Sequence, residues 1–306
     1  MSTKHADEIS LTQVWAELYK KKLVIIVSSA VFCVLSVIIA ITLPNLYKAK
    51  VLTVANQDEQ GDLGSLAKNL GGLASIAGIN VGKSQGPDKA AIALEIIKSQ
   101  RFINDFISNH DLVIPLMAAI GSEPVTYKLI IDEDIYDEKN EKWLRDPKPP
   151  RTNSPTPQEI YEAFLEIMEI NKDPKSGFIS ISIEFYSPNI SAIWLRLLLE
   201  DINEELRNED KDEAQASIDY LKKVIGETKN RNMQETFYQL IEEQTKVLML
   251  AESRQEYIFK IIAPAVVPEK PSKPKRILVV LAGGILGGFL SFCWVLLRFF
   301  SKRLDK

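Results

Sequence analysis

Two stretches of this chain, Leu23–Leu43 and Ile277–Leu297, contain no charged residue, and they constrain its fold more than any other feature. Each is long enough for a helix to cross the hydrocarbon of a bilayer, which takes about 20 apolar residues. A cleavable signal peptide is the competing reading of the first stretch. Its apolar core exceeds the usual ~7 to 15 residues, and no A-x-A-like site follows before Pro44, so an uncleaved span is expected. The competing reading of the second, a buried core helix, suits a long uncharged run poorly.

The flanks orient the spans. Lys20, Lys21 and Lys22 abut the first, and Arg298, Lys302, Arg303 and Lys306 follow the second, so the positive-inside bias predicts both termini in the cytoplasm. Lys270, Lys273, Lys275 and Arg276 precede the second span on the opposite side, against that bias, although long loops translocate largely regardless of charge. The predicted organisation is a cytoplasmic tail over 1–22, a transmembrane helix over 23–43, an extracytoplasmic domain over 44–276, a transmembrane helix over 277–297 and a cytoplasmic tail over 298–306. Both cysteines, Cys33 and Cys293, fall within the spans, so the outer domain exposes no thiol to an oxidising compartment.

With 306 residues, 46% hydrophobic and 25% charged, the chain is neither disordered, collagenous nor a disulfide-knit scaffold. Its formal charge of -4 has both signs interspersed, and no basic stripe points to nucleic acid.

Within the outer domain, Tyr47–Val54 alternates, and Phe178–Phe185 alternates more cleanly, with Ile179, Ile181, Ile183 and Phe185 on one face. These read as strands of one sheet, to which the apolar piece Ala265–Val267 is expected to add. Helices are predicted over Asp88–Ile97 and from Ser99, whose Phe102, Ile103, Phe106 and Ile107 share a face. Thr156-Pro157-Gln158-Glu159 has the form of a capping box with proline at the first helical position, ahead of Tyr161, Phe164, Leu165 and Met168. The proline-rich, charged stretch Asp132–Pro155 reads as a surface excursion.

Ser187-Pro188 opens the longest helical pattern, with Ile190, Ile193, Trp194, Leu197, Leu198 and Ile202 at helical spacing. The following Arg207–Glu213 is charged all round, which predicts a helix that projects into water or lies against a neighbouring copy. Apolar periodicity resumes at Ile218, Leu221 and Val224, and again from Met233 to Ala251. Gly226–Asn232 is the expected turn between two long arms over about 188–254. The predicted fold class is α+β: two transmembrane helices flank a domain with a membrane-proximal mixed sheet and a long protruding helical hairpin.

No catalytic, cofactor or metal site emerges. Ala77–Ser84 (AGINVGKS) ends like a phosphate-binding loop, but Ala77 occupies the position of its first glycine, and the Gly/Ala-rich context is not that of a strand leading into a helix. His5 lies in the tail, and His110, alone in the outer domain, fits a helix end. The carboxylates Asp132, Glu133, Asp134, Asp137 and Glu138 form a run of the kind that is ordinarily a solvated face.

Two features stand out instead. Gly283 with Gly287, and Gly284 with Gly288, form overlapping G-x-x-x-G pairs in the second span, a pattern that lets helices approach closely in lipid. Pro264, Pro268, Pro271 and Pro274 lead up to Arg276 at the membrane and predict a semi-rigid extended segment.

The layout resembles the Wzz chain-length determinants, class 1 polysaccharide co-polymerases of the O-antigen type. The resemblance rests on Asp7-Glu8-Ile9-Ser10-Leu11 before the first span, Leu240–Glu252 (LIEEQTKVLMLAE), and above all Ala263–Arg276 (APAVVPEKPSKPKR) leading into the glycine-rich second span; the run Gly71–Gly82 supports it. It implies a non-enzymatic homo-oligomer, a bell-shaped ring of protomers in the bacterial inner membrane with its bulk in the periplasm. Such a ring sets how many units a Wzy-type polymerase adds to lipid-linked O antigen or a related glycan of lipopolysaccharide biosynthesis. Tyrosine-kinase relatives carry a nucleotide-binding domain after the second span, whereas a few residues follow it here, so that subclass is not expected unless the kinase is a separate chain. An inner-membrane adaptor for capsule or exopolysaccharide export shares the two-span frame and is the alternative reading. A membrane glycosyltransferase ranks third, for want of a recognisable metal or nucleotide-sugar site.

Overall fold

A computed structural model describes Tyr19 and residues 21–56 and 89–304, and its contacts divide the chain into two compact units. The first gathers the two ends of the sequence, up to Leu46 and from Pro271 onward. Here helix α1 (Lys22–Thr42) packs along helix α8 (Arg276–Leu304). Most of their apolar side chains face outward, Leu23 and Ile277 being 69% and 78% exposed. Such a surface is stable only where lipid replaces water, and both helices are long and apolar enough to cross a membrane.

The second unit, Tyr47–Lys270, is an α+β domain. Its centre is a four-stranded sheet in the order β6-β7-β1-β8, made of β1 (Tyr47–Ala55), β6 (Met168–Lys172), β7 (Ile179–Phe185) and β8 (Phe259–Ala263). In β1 the alternate residues Tyr47, Ala49, Val51 and Thr53 are buried, and in β7 Ile179, Ile181, Ile183 and Phe185 are. Period-2 patterning thus produces one apolar face. Across the pair, Ala49 lies opposite Ile183 and Val51 opposite Ile181.

Helices cover that face. α2 (Lys89–Ile97), α3 (Gln100–Asn109), α5 (Pro157–Ile167) and the first half of α6 (Pro188–Glu227) enclose one core with it. Phe102, Ile103, Phe106 and Ile107 are all buried, and the Phe106 ring lies 5.5 Å from that of Phe164. Trp194 of α6 stacks at 4.6 Å on Phe185 of β7. Burying aromatic and branched side chains contributes about 1.5 to 3 kcal/mol each, so these few positions supply much of the stabilisation. Between α3 and α5 run α4 (Val113–Ala118) and two small hairpins, β2 (Ala119–Ser122) with β3 (Leu129–Ile131) and β4 (Tyr136–Asp137) with β5 (Lys142–Trp143).

Helix starts follow local chemistry. Ser99 caps α3 by accepting from Phe102 N, and Thr156 and Glu159 form the reciprocal capping box of α5 with Pro157 at its first turn. Arg145 binds both carboxylate oxygens of Glu159, at 2.8 and 3.1 Å, and so ties the charged excursion back to α5.

Several sequence expectations need correction. The sheet is antiparallel throughout, not mixed. β6 and β7 form a hairpin closed over Asp173–Gly177, where Gly177 takes φ 72°, and β8 runs back beside β1, pairing Thr53 with Ile261. The last strand is Phe259–Ala263, not Ala265–Val267, because Pro264 has no N–H with which to extend the ladder. Met168 ends α5 and begins β6, a strand that the periodicity of α5 concealed. On α6 the buried stripe is Ser191, Trp194, Leu195, Leu198, Leu199, Ile202 and Leu206, which leaves the expected Ile193 exposed. α2 is described from Lys89, so the expected start at Asp88 lies outside the described residues.

Candidate functional site

Among the described residues no cluster of His, Cys, Asp and Glu is placed to hold a metal ion. His110 is the C-cap of α3, and its Nε2 lies 2.9 Å from Asp201 Oδ2, a bond that ties α3 to α6. The acidic run builds turns. Asp132 accepts from Asp134 N, and Asp137 accepts from the side chain and backbone of Asn140 and from Lys139 N, bonds that hold the Asp137 carboxyl below the usual carboxylate range. A general acid needs the opposite shift. His5, Asp7–Leu11, Gly71–Gly82 and the loop-like Ala77–Ser84 lie outside the described residues.

The most extended surface is the hairpin of α6 and α7 (Arg231–Ser253). At 1.5 Å per residue, the 40-residue α6 is about 60 Å long. Its second half leaves the sheet and packs on α7, burying Ala214 and Ile218 while Ala251 of α7 is buried in return. The tip closes on itself. Asn230 accepts from Asn232 N to cap α7, and Gln234 Nε2 donates to Thr228 O at 2.7 Å.

At the base, Asn203 is 5% exposed and joins α6 to the start of β8. Its Oδ1 accepts from Ile258 N at 2.9 Å and Phe259 N at 3.0 Å, while its Nδ2 donates to Leu199 O at 2.8 Å. No motif marked this residue; the signal available was a lone Asn on the apolar stripe of a helix.

The charged stretch Arg207–Glu213 behaves differently from expectation. Asp210 accepts from Tyr257 Oη at 2.5 Å and Lys89 Nζ at 2.9 Å, and Lys211 lies 3.7 Å from Glu252. The inward side is therefore satisfied within the chain, and Glu209, Asp212 and Glu213 are left exposed. Elsewhere on the hairpin Tyr220, Met233, Tyr238 and Met249 are also exposed, 68% for Tyr220.

In the paired helices, glycine decides the spacing. A Cβ on Gly283 would fall 1.7 Å from Ser36 Oγ, one on Gly284 2.7 Å from Cys33 Sγ, and one on Gly287 2.6 Å from Phe32 Cβ; at Gly288 the nearest neighbour, Ser29 Oγ, is 4.0 Å away. Close approach lets polar groups cross the seam: Ser29 Oγ donates to Gly284 O at 2.8 Å, and Cys33 Sγ lies 3.9 Å from Val280 O.

Of the prolines, Pro264 and Pro268 lie in the segment after β8, whereas Pro271 and Pro274 lie beside the start of α8. There Leu46 N donates to Lys273 O at 3.0 Å, and both the N–H and hydroxyl of Ser272 donate to Leu46 O, at 2.7 and 2.9 Å. Arg276 Nη2 donates to Asn45 Oδ1 at 3.1 Å. These bonds clip the segment leaving α1 to the segment approaching α8.

Comparison with known proteins identifies two domains. Residues 7–110 match the family model Wzz, "Chain length determinant protein", and residues 227–300 match GNVR, "G-rich domain on putative tyrosine kinase". Among curated proteins nothing matches. Among solved structures the chain is similar to a "full-length bacterial polysaccharide co-polymerase", at 13% identity over 96% of this chain and 99% of that one, with a TM-score of 0.39. A fragment of WzzB, a polysaccharide co-polymerase from Salmonella Typhimurium, matches at 12% identity over 75% of this chain and all of the fragment, with a TM-score of 0.27. With the two family models matched in this order along the sequence, the chain carries a Wzz chain length determinant domain followed by a GNVR domain.

Proposed function

We propose that this chain length determinant acts as a non-catalytic scaffold, a homo-oligomeric ring that sets the length of lipopolysaccharide O antigen, or of a related glycan, while a Wzy-type polymerase extends the lipid-linked polymer in the periplasm. The observation that carries this reading is the family match at both ends of the chain, together with the long α6–α7 hairpin, whose outer face is exposed. The hairpin is the surface for lateral contacts between copies. Gly283, Gly284, Gly287 and Gly288 serve helix packing in the membrane, and Pro264, Pro268, Pro271 and Pro274 with Arg276 stiffen the approach to it. The proposed division follows the predicted one: tails over 1–22 and 298–306 in the cytoplasm, spans over 23–43 and 277–297, and the periplasmic domain over 44–276.

Electrophoresis of lipopolysaccharide from cells with and without the gene tests the reading. Loss of a length regulator leaves glycan on the surface with its modal length distribution scrambled. Complete loss of surface glycan would favour the export adaptor, and an unchanged ladder would overturn the O-antigen assignment. A protein that stayed monomeric in mild detergent over a wide concentration range would remove the ring.

A further inference from the structure

The basic residues that precede α8 oppose the charge bias expected of that side of a membrane. Between Glu269 and the end of α8 the sequence contains no Asp or Glu. Among the described residues, neither Lys275 nor Arg276 makes an ion pair; the Arg276 guanidinium has only the neutral Asn45 amide oxygen, and both side chains are exposed. The two cations border a cleft of about 460 Å³ whose remaining lining is Pro271, Pro274, Ile277 and Leu278. The backbone of this cleft is held by the bonds from Leu46 to Lys273 and from Ser272 to Leu46. A cleft lined both by two cations and by apolar side chains matches a molecule that is anionic at one end and hydrocarbon at the other.

We propose that this cleft seats the phosphate headgroup of an anionic membrane phospholipid, with Lys275 and Arg276 on the phosphate and Ile277 and Leu278 against the first segment of the acyl chains. The inference rests on the reading of α1 and α8 as membrane spans. The occupant is a lipid and not a free phosphate, because four of the six lining residues are apolar and the lining continues directly into a helix that lipid must cover. Bound there, a headgroup neutralises charge that otherwise faces the membrane surface and fixes the depth at which α8 begins.

The test titrates the purified full-length protein, exchanged into phosphatidylcholine, with phosphatidylglycerol and counts bound lipid by native mass spectrometry. Each basic residue near an anionic lipid surface contributes about 1 kcal/mol, so K275Q/R276Q is expected to bind phosphatidylglycerol about thirtyfold more weakly than the parent protein. Lys275→Gln alone, which leaves the Arg276–Asn45 bond in place, is expected to fall between the two. K222Q/K223Q removes the same charge from exposed positions of α6 and is expected to bind like the parent. Equal binding by K275Q/R276Q and the parent, or displacement of the lipid by an equal concentration of inorganic phosphate, would overturn the proposal. A reporter fused near Asn153 separates the two readings. If it reports from the cytoplasm, the topology fails whatever the titration gives; if it reports from outside and the titration shows no phosphatidylglycerol preference, only the lipid site fails.

Discussion

Asn203 Oδ1 accepts the backbone N–H of Ile258 at 2.9 Å, and this bond fastens the last strand of the domain to the middle of its longest helix. The same oxygen takes Phe259 N, so one buried side chain satisfies two donors at the start of β8. Replacing Asn203 with Leu fills the volume but orphans both donors, each at a cost of about 1 to 3 kcal/mol. Thermal or urea unfolding of the detergent-solubilised protein is expected to show a loss of about 2 to 4 kcal/mol. A loss smaller than that of an ordinary surface substitution would mean that water reaches those donors.

Glu159 couples stability to pH. Partial burial raises its pKa, but hydrogen bonds from Thr156 N and Arg145 outweigh that and hold the carboxyl below its ordinary 4.5. A group depressed in the folded state adds stability above its unfolded pKa and loses it as pH falls through the folded value. The parent protein is therefore expected to lose stability more steeply below about pH 4.5 than Glu159→Gln, which keeps a capping amide but no charge. At neutral pH the substitution is expected to cost about 1 to 2 kcal/mol. Parallel acid-unfolding curves for the two proteins would contradict this.

The seam between α1 and α8 can be trapped covalently. A Cβ at 284 would fall 2.7 Å from Cys33 Sγ, so Gly284→Cys places a second sulfur within bonding range after a small adjustment. Mild oxidation in membranes is expected to give an intramolecular disulfide, seen as a gel shift that reduction reverses and that Cys33→Ser abolishes. Gly283→Leu, by contrast, collides with Ser36 and is expected to separate the helices and lower thermal stability.

Two glycines of the outer domain should respond oppositely to alanine. Gly177 sits at φ 72° in the β6–β7 turn, where a side chain costs about 1 to 2 kcal/mol. Gly226 lies in the last turn of α6 with open space around it, so Gly226→Ala is expected to be neutral or stabilising by up to about 1 kcal/mol. Melting temperatures of the two variants that moved in the same direction would refute the assignment.

Much of the architecture was legible because it depends on short-range rules. Capping at Ser99 and Thr156, the alternation in β7 and the turn between α6 and α7 each follow from residues within a few positions of one another. Other elements escaped. β6 has no alternation of its own and exists because β7 offers it a partner, and the buried stripe of α6 was misplaced because Leu195 and Leu199 extend a run apolar on several sides. Within the candidate surfaces, Asp210 looked like solvated charge until Lys89 and Tyr257, far apart in sequence, were brought to it.

By itself the amino-acid order determined that two lipid-compatible helices bracket an α+β domain with a long helical arm, since span length, periodicity and caps are properties of contiguous residues. Tertiary structure alone decided that the domain's first and last strands pair side by side, that Asn203 clamps the last of them to α6, and that Gly283 and Gly287 face Ser36 and Phe32. Those relationships join residues up to some two hundred and fifty positions apart, and a bond of that kind exists only once burial has made an unpaired donor or an empty volume more costly than the order needed to satisfy it.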